Sequence, residues 1–175
     1  MSRLSALPAL VIIALSLGLT ACSRGKDHGL NAAQMQRDAT GANQGGYGAP
    51  GSPREFTARV GDTVYFTTDS TDLSPEAQQI LAGQARWLSQ YGQYAILIEG
   101  HADERGTREY NIALGAKRAA ATKEFLVSRG VQANRIRTVS YGKERPVAVC
   151  ADISCWSQNR RAVTVLDQNR MAARN

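Results

Sequence analysis

An α+β sandwich, with helices on one face of a small mixed sheet, is the fold class this sequence predicts. Three observations carry it. Short runs rich in β-branched and aromatic residues alternate with two long segments of helical character; YAILIEGH is a continuous apolar run of strand type; and RIRTVSYG and RAVTVLDQ cluster β-branched residues near the C-terminal end. In order the elements read β-α-β-α-β-(short helix)-β.

DTVYF, Asp62 to Phe66, is the first strand. LSPEAQQILAGQARWLSQY follows as a helix, with Ser74 as N-cap, Pro75 at the first helical position, and Ile80, Leu81, Trp87 and Leu88 on its apolar face. After YAILIEGH, two glycines, Gly100 and Gly106, bracket a charged loop, and Thr107 is placed to cap a second long helix ending near Arg129 and Gly130. The two remaining strands complete a folded domain expected over residues 55–167, followed by a tail, 168–175.

The chain has 175 residues, 43% of them hydrophobic, enough for one domain with a real core and additional segments. Its N-terminus is organised differently. Arg3 precedes the apolar run ALVIIALSLGL, too short for a comfortable membrane span and followed at once by small residues, as in an export signal over residues 1–21. The end of this signal, LTAC, looks like a bacterial lipobox, in which Cys22 becomes the acylated mature N-terminus; an ordinary signal peptide or an anchor helix with a chance cysteine is the alternative. Ser23 resembles the residue that allows such lipoproteins to travel on to the outer membrane. Stable anchoring needs about two acyl chains, since one alone binds marginally. Residues 22–54, rich in Gly, Ala, Gln and Asn, bury too little to fold and read as a tether. About 32 such residues would hold their ends roughly 30 Å apart on average and at most about 100 Å when stretched.

The formal charge is +6, yet Lys and Arg are interleaved with Asp and Glu, as in HADERGTRE and GKERP. Neither a basic stripe nor an aromatic-rich basic motif points to nucleic acid. Cys150 and Cys155, in CADISC, suit a structural disulfide in an exported protein, with two free thiols as the alternative; the spacing is not that of a metal site. His101 and Asp103 form an H-x-D pair at a strand end, but a third metal ligand is missing, and neither a nucleophile elbow nor a phosphate loop is present. These residues predict a binding protein, not an enzyme, with His101 as a partly buried imidazole bonded to backbone.

The loop offers chemistry of another kind. Asp103 presents a carboxylate for an ammonium group, and Arg118, on one helical stripe with Asn111 and Leu114, presents a planar fork for a carboxylate. Together they match a zwitterion. Arg118 lies about 15 Å along the helix axis, so the loop has to fold back over the first turns to meet it; from spacing alone, ordinary solvated charges are an equal reading.

VYF, EGHADERGTREYNIALGAKRAAATKEFL, VSYGKERP and NRRAV together resemble the OmpA-like peptidoglycan-binding domain family, over Thr63 to Leu166. With the lipobox and the tether, the resemblance is to the lipoprotein branch of that family that works in the Tol system. It implies recognition of the diaminopimelate group of the peptidoglycan stem peptide, with Asp103 holding the ammonium and Arg118 gripping a carboxylate. Arg105, Asn111 and Leu114 would line the same pocket, and Asp69 with Thr68 would form its edge. Thr67 stands where many members carry an acidic residue, which leaves the edge in question. Arg160 and Arg161 match a family motif as either a structural ion pair or a ligand contact. The implied protein has no cofactor or metal, only a covalent lipid on Cys22. It lies in the outer membrane with its domain facing the periplasm, partners TolB and other Tol proteins, and acts in envelope integrity and constriction at division. A flagellar stator protein would share the domain but carry a true membrane helix; a wall-binding lipoprotein acting without TolB is the nearer alternative.

Overall fold

The computed structural model describes residues 47–167. The lipobox with Cys22, the tether up to residue 46 and the tail from 168 lie outside the described residues. The main elements are β1 (Thr63–Tyr65), α1 (Pro75–Gln90), β2 (Ala95–His101), α2 (Arg108–Ser128), β3 (Ile136–Gly142), α3 (Ile153–Asn159) and β4 (Arg161–Asp167), in the expected order. They build a four-stranded mixed sheet ordered β1-β4-β2-β3. β2 and β3 are parallel, with α2 as the crossover between them, whereas β4 lies antiparallel to both β1 and β2. β1 is effectively extended at both ends, because the Phe66 N–H donates to Arg160 O and the Thr164 N–H to Asp62 O.

Local chemistry sets the helix boundaries. Ser74 Oγ accepts from the Ala77 N–H with Pro75 at the first position of α1, and Thr107 Oγ1 accepts from the Tyr110 N–H at the start of α2. Gly130, at φ +94°, follows the last turn of α2 in the left-handed region that glycine enters freely. Leu81, Ala85 and Leu88 of α1, Ile96 and Ile98 of β2, and Ala119 and Leu126 of α2 are fully buried between the helices and the sheet. Ile80, expected on the apolar face of α1, is only partly buried and packs at the edge of this core.

The ordered fold begins earlier than the boundary expected at residue 55. A short helical segment, Pro53–Glu55 continuing through wider turns at Phe56–Val60, packs on α1. The Tyr94 hydroxyl donates to Gly51 O at 2.6 Å, the Trp87 indole N–H donates to the Glu55 carboxylate at 3.3 Å, and Phe56 is buried against the Trp87 ring. The stretch GAPGSPR has linker composition, but it is held by one backbone carbonyl and one carboxylate, contacts that leave no periodic pattern.

α2 and β2 meet backbone to backbone. A Cβ on Gly115 would lie 2.8 Å from Gly100 O, and one on Gly100 would collide with the Gly115 carbonyl. This approach seats Asn111 and Arg118 of α2 against the end of β2, where the charged loop leaves the sheet. Gly115→Ala is therefore expected to lower stability by about 1–3 kcal/mol through overpacking, read as a lower midpoint in urea melts with an unchanged slope.

Candidate functional site

β2 ends at His101, and the loop from Ala102 to Thr107 stands at its tip. Gly106, at φ +81°, turns the chain so that Thr107 can cap α2. Side chains from three other segments fix the loop from outside. Asn111 Nδ2 donates to Arg105 O at 2.7 Å; Lys143 Nζ donates to Glu104 O and Gly106 O at 3.1 and 2.7 Å; and the Trp156 indole N–H donates to the Glu104 carboxylate at 3.0 Å.

Within this frame Asp103 is turned inward and buried. Its Oδ1 accepts from the backbone N–H and Nε of Arg105, both at 3.1 Å; its Oδ2 accepts from Arg105 Nη2 at 2.7 Å and Arg160 Nη1 at 3.2 Å. Burial works to raise the carboxyl pKa, but the bonds from Arg105 and Arg160 outweigh it and hold the group below its ordinary value. Arg105 gains the reciprocal effect: its bond to Asp103 keeps it firmly charged. Its guanidinium lies over the Trp156 ring, 4.3 Å from the centroid, and reaches Thr68 Oγ1 at 3.4 Å. Asp69, exposed beside Thr68, has φ +52°.

Arg118 takes a different place. It has 0% exposed surface, and its Nε, Nη1 and Nη2 donate to Ser70 O, His101 O and Thr67 O at 3.0, 2.9 and 3.1 Å. Burial, then the neighbouring Arg160 charge, brings its pKa down to about 10, still well above neutrality. Arg118 and Asp103 share no hydrogen bond. Arg160 stands beside Asp103 instead, and also donates through Nε to Phe66 O at 3.0 Å. Of Arg160 and Arg161, only Arg160 forms an ion pair, with Asp103; Arg161 donates to the carbonyls of Asn159 and Arg145.

His101 departs from expectation. Neither ring nitrogen has a hydrogen-bond partner among the described residues, although the side chain is 2% exposed; it packs beside the Tyr141 ring, and its backbone carbonyl, not its imidazole, takes part in bonding. Glu99 Oε2 lies 3.6 Å from Nε2, beyond hydrogen-bond reach. Burial, with the charges of Arg161 and Arg145, pushes the His101 pKa down to about 4, so the ring is neutral at physiological pH.

Cys150 and Cys155 are joined by a disulfide, with Cα atoms 5.6 Å apart. The bridge ties the loop before α3 to the first turn of that helix, next to Trp156.

The OmpA family model matches residues 65–160 of this chain, a span that contains the loop, Arg105, Arg118, Arg160 and Trp156. The chain belongs to the OmpA family. Among its relatives in that family, the peptidoglycan-associated lipoprotein of Agrobacterium fabrum strain C58 is 56% identical over 166 residues, 95% of this chain and 91% of the relative. That of Rhizobium meliloti strain 1021 is 57% identical over 160 residues, 91% and 87% of the two chains. The crystal structure of the peptidoglycan-associated lipoprotein from Burkholderia pseudomallei superposes with a TM-score of 0.63 at 42% identity, covering 66% of this chain and all of that one. Within the OmpA family the chain is thus one of the peptidoglycan-associated lipoproteins.

On this OmpA-type scaffold Arg105 joins Asp103 to Thr68, with Asn111 bonded to the loop backbone and Asp69 exposed next to Thr68. Leu114 is buried in α2, and Arg118 lies under the rim. Trp156, Glu104 and Lys143 also shape the site; Glu104 and Lys143 fall within HADERGTRE and GKERP, where nothing sets them apart from their charged neighbours, and Trp156 falls within no motif. Only the disulfide, which fixes the start of α3, could have drawn attention to Trp156.

The neutral, buried His101 predicts an acid-sensitive fold. Its folded pKa of about 4 lies below the ordinary 6.5, so the unfolded chain binds more protons between those values and stability falls as pH drops through that window. The contribution is on the order of 3 kcal/mol at most. NMR titration of the imidazole should show a midpoint near 4; a midpoint near the ordinary value would mean that water reaches the ring.

Proposed function

We propose that this protein is an outer-membrane lipoprotein that holds peptidoglycan without covalent chemistry, tying the membrane to the cell wall. The observation that carries the reading is the ion pair of the Asp103 carboxylate, in the loop at the tip of β2, with the exposed Arg105 guanidinium. An acidic and a basic group side by side complement a zwitterion, and the free end of diaminopimelate in the stem peptide is one. Asp103 takes the ammonium. Thr68 and Asp69 form the rim, Asn111 supports the loop from α2, and Leu114 is buried one turn further along that helix. For Arg118 to grip a carboxylate, as the family resemblance implies, that carboxylate has to take the place of the Thr67 and Ser70 carbonyls to which its guanidinium donates.

The anchor is the acyl-modified Cys22, with the domain facing the periplasm. Among the described residues no helix is long and apolar enough to cross a membrane. In this reading the protein works with TolB and the other Tol proteins, and its hold on the wall is released and remade during constriction at division. The names of the relatives, the LTAC lipobox and Ser23 support this assignment. It is a binding protein and not an enzyme.

Co-sedimentation of the detergent-solubilised whole chain with diaminopimelate-type sacculi tests the wall contact. The chain should pellet with sacculi, and Asp103→Ala, shown to be folded by circular dichroism, should remain in solution; equal pelleting would make Asp103 an ordinary structural charge. For the anchor, Cys22→Ala should move the protein from the membrane fraction to the soluble periplasm. Persistence in the membrane would point to an uncleaved signal helix.

A further inference from the structure

The three arginines around Asp103 differ sharply in access. Arg118 and Arg160 are 0% and 6% exposed and donate to backbone carbonyls, whereas the Arg105 side chain is 41% exposed. Arg105 nevertheless spends its guanidinium on Asp103, one N–H on each carboxylate oxygen, where the ammonium of a ligand would have to sit. Arg105 thus occupies, from within the chain, the place on Asp103 that an ammonium would take.

We propose that Arg105 exchanges partners on binding: it leaves Asp103 to the ammonium of the ligand and turns to the carboxylate of the same zwitterion. The inference rests on the reading of Asp103 as the ammonium acceptor. Four features make the exchange inexpensive. The Arg105 backbone stays fixed, its N–H on Asp103 and its carbonyl on Asn111, so only the side chain moves. Asp103 is never stripped bare, because the Arg105 N–H and Arg160 Nη1 remain on it while the ammonium arrives. The Trp156 ring offers a face along which a guanidinium can shift, since attraction to a π cloud is weakly directional. The third contact of the guanidinium, Thr68 Oγ1 at 3.4 Å, is long and readily released.

Selectivity follows from counting ion pairs. A zwitterion replaces one pair, Arg105 with Asp103, by two. A ligand with the ammonium but no carboxylate replaces one pair by one and leaves Arg105 without a partner. The site therefore favours diaminopimelate with a free carboxylate over the form in which that carboxylate is amidated.

The test measures binding of two soluble stem peptides, identical except that the free diaminopimelate carboxylate is amidated in one, to the whole detergent-solubilised chain and to Arg105→Ala and Asp103→Asn. Wild type should prefer the zwitterionic peptide. In Arg105→Ala the amidated peptide should bind more tightly by roughly fivefold, the scale of one exposed ion pair it no longer has to break, while the zwitterionic peptide, which gains one net pair with or without Arg105, should be little changed, so that the preference is lost. A shift of both peptides in the same direction, or of neither, overturns the exchange: joint weakening makes Arg105 a fixed wall of the pocket, and joint tightening a simple plug. Asp103→Asn separates this result from the underlying reading. Loss of both peptides in that variant together with a same-direction Arg105→Ala result sinks the exchange alone, whereas unaltered binding in Asp103→Asn sinks the ammonium assignment and the exchange with it.

Discussion

A guanidinium with no exposed surface holds this structure together at its functional end. Arg118 reaches from the middle of α2 to carbonyls in two segments far apart in sequence, Thr67 and Ser70 after β1 and His101 at the end of β2. Burying an unpaired charge is expensive, and removing a partner from one strands the rest. The three carbonyls and the Phe66 ring, 5.2 Å from the guanidinium carbon, therefore have to stay where they are for the charge to be tolerated. Lysine could not do the same, because a point charge lacks the planar fork that addresses three directions at once. The rim of the site and the root of its loop are consequently fixed relative to each other before any ligand arrives.

The charge on Arg118 also shapes what surrounds it. Arg160 repels it, and Asp103 and Asp69 offset that repulsion. Asp103 is thus tied to two arginines directly and a third through the field, and it is the one buried acidic side chain of this group. Arg118 itself can lie so deep only because Gly100 and Gly115 let α2 settle onto β2 without side chains between them. A helix held further off would leave the guanidinium short of the His101 carbonyl.

Much of this was legible in the sequence. The caps at Ser74 and Thr107 use short-range hydrogen bonds that local composition encodes, and both helices start where those residues predict. The loop and Asp103 stood out because charge between glycines is conspicuous. What spacing could not supply was the partner of each charge. Arg118 shares a stripe with Asn111 and Leu114, which suggests a common pocket, yet the stripe says nothing of whether its end faces solvent or carbonyls. Arg160 lies 57 positions from Asp103, a pairing created by the insertion of β4 beside β2 and therefore by topology. His101 misled for a related reason: an imidazole next to a charged loop suggests a hydrogen bond, whereas the buried ring packs beside Tyr141 and neither nitrogen finds a partner among the described residues.

The outer wall of the site is built on another principle. α3 has seven residues, well short of what holds itself in water, and it lies over the site instead of in the main core. Local fasteners replace burial there. The Cys150–Cys155 bridge joins the preceding loop to its first turn, Asp152 caps it through the Ser154 N–H, and Asn159 closes its far end by bonding the backbone of Val147 and Ala148. The helix so fastened carries Trp156, whose ring lies under the Arg105 guanidinium and whose indole N–H donates to Glu104. A wall assembled from staples can be stiff without being thick, so the mobile arginine slides over a rigid platform while Asp103 waits on a rigid floor. The bridge is the one covalent staple among these fasteners, and it is the one that would persist in an oxidising compartment and open in a reducing one.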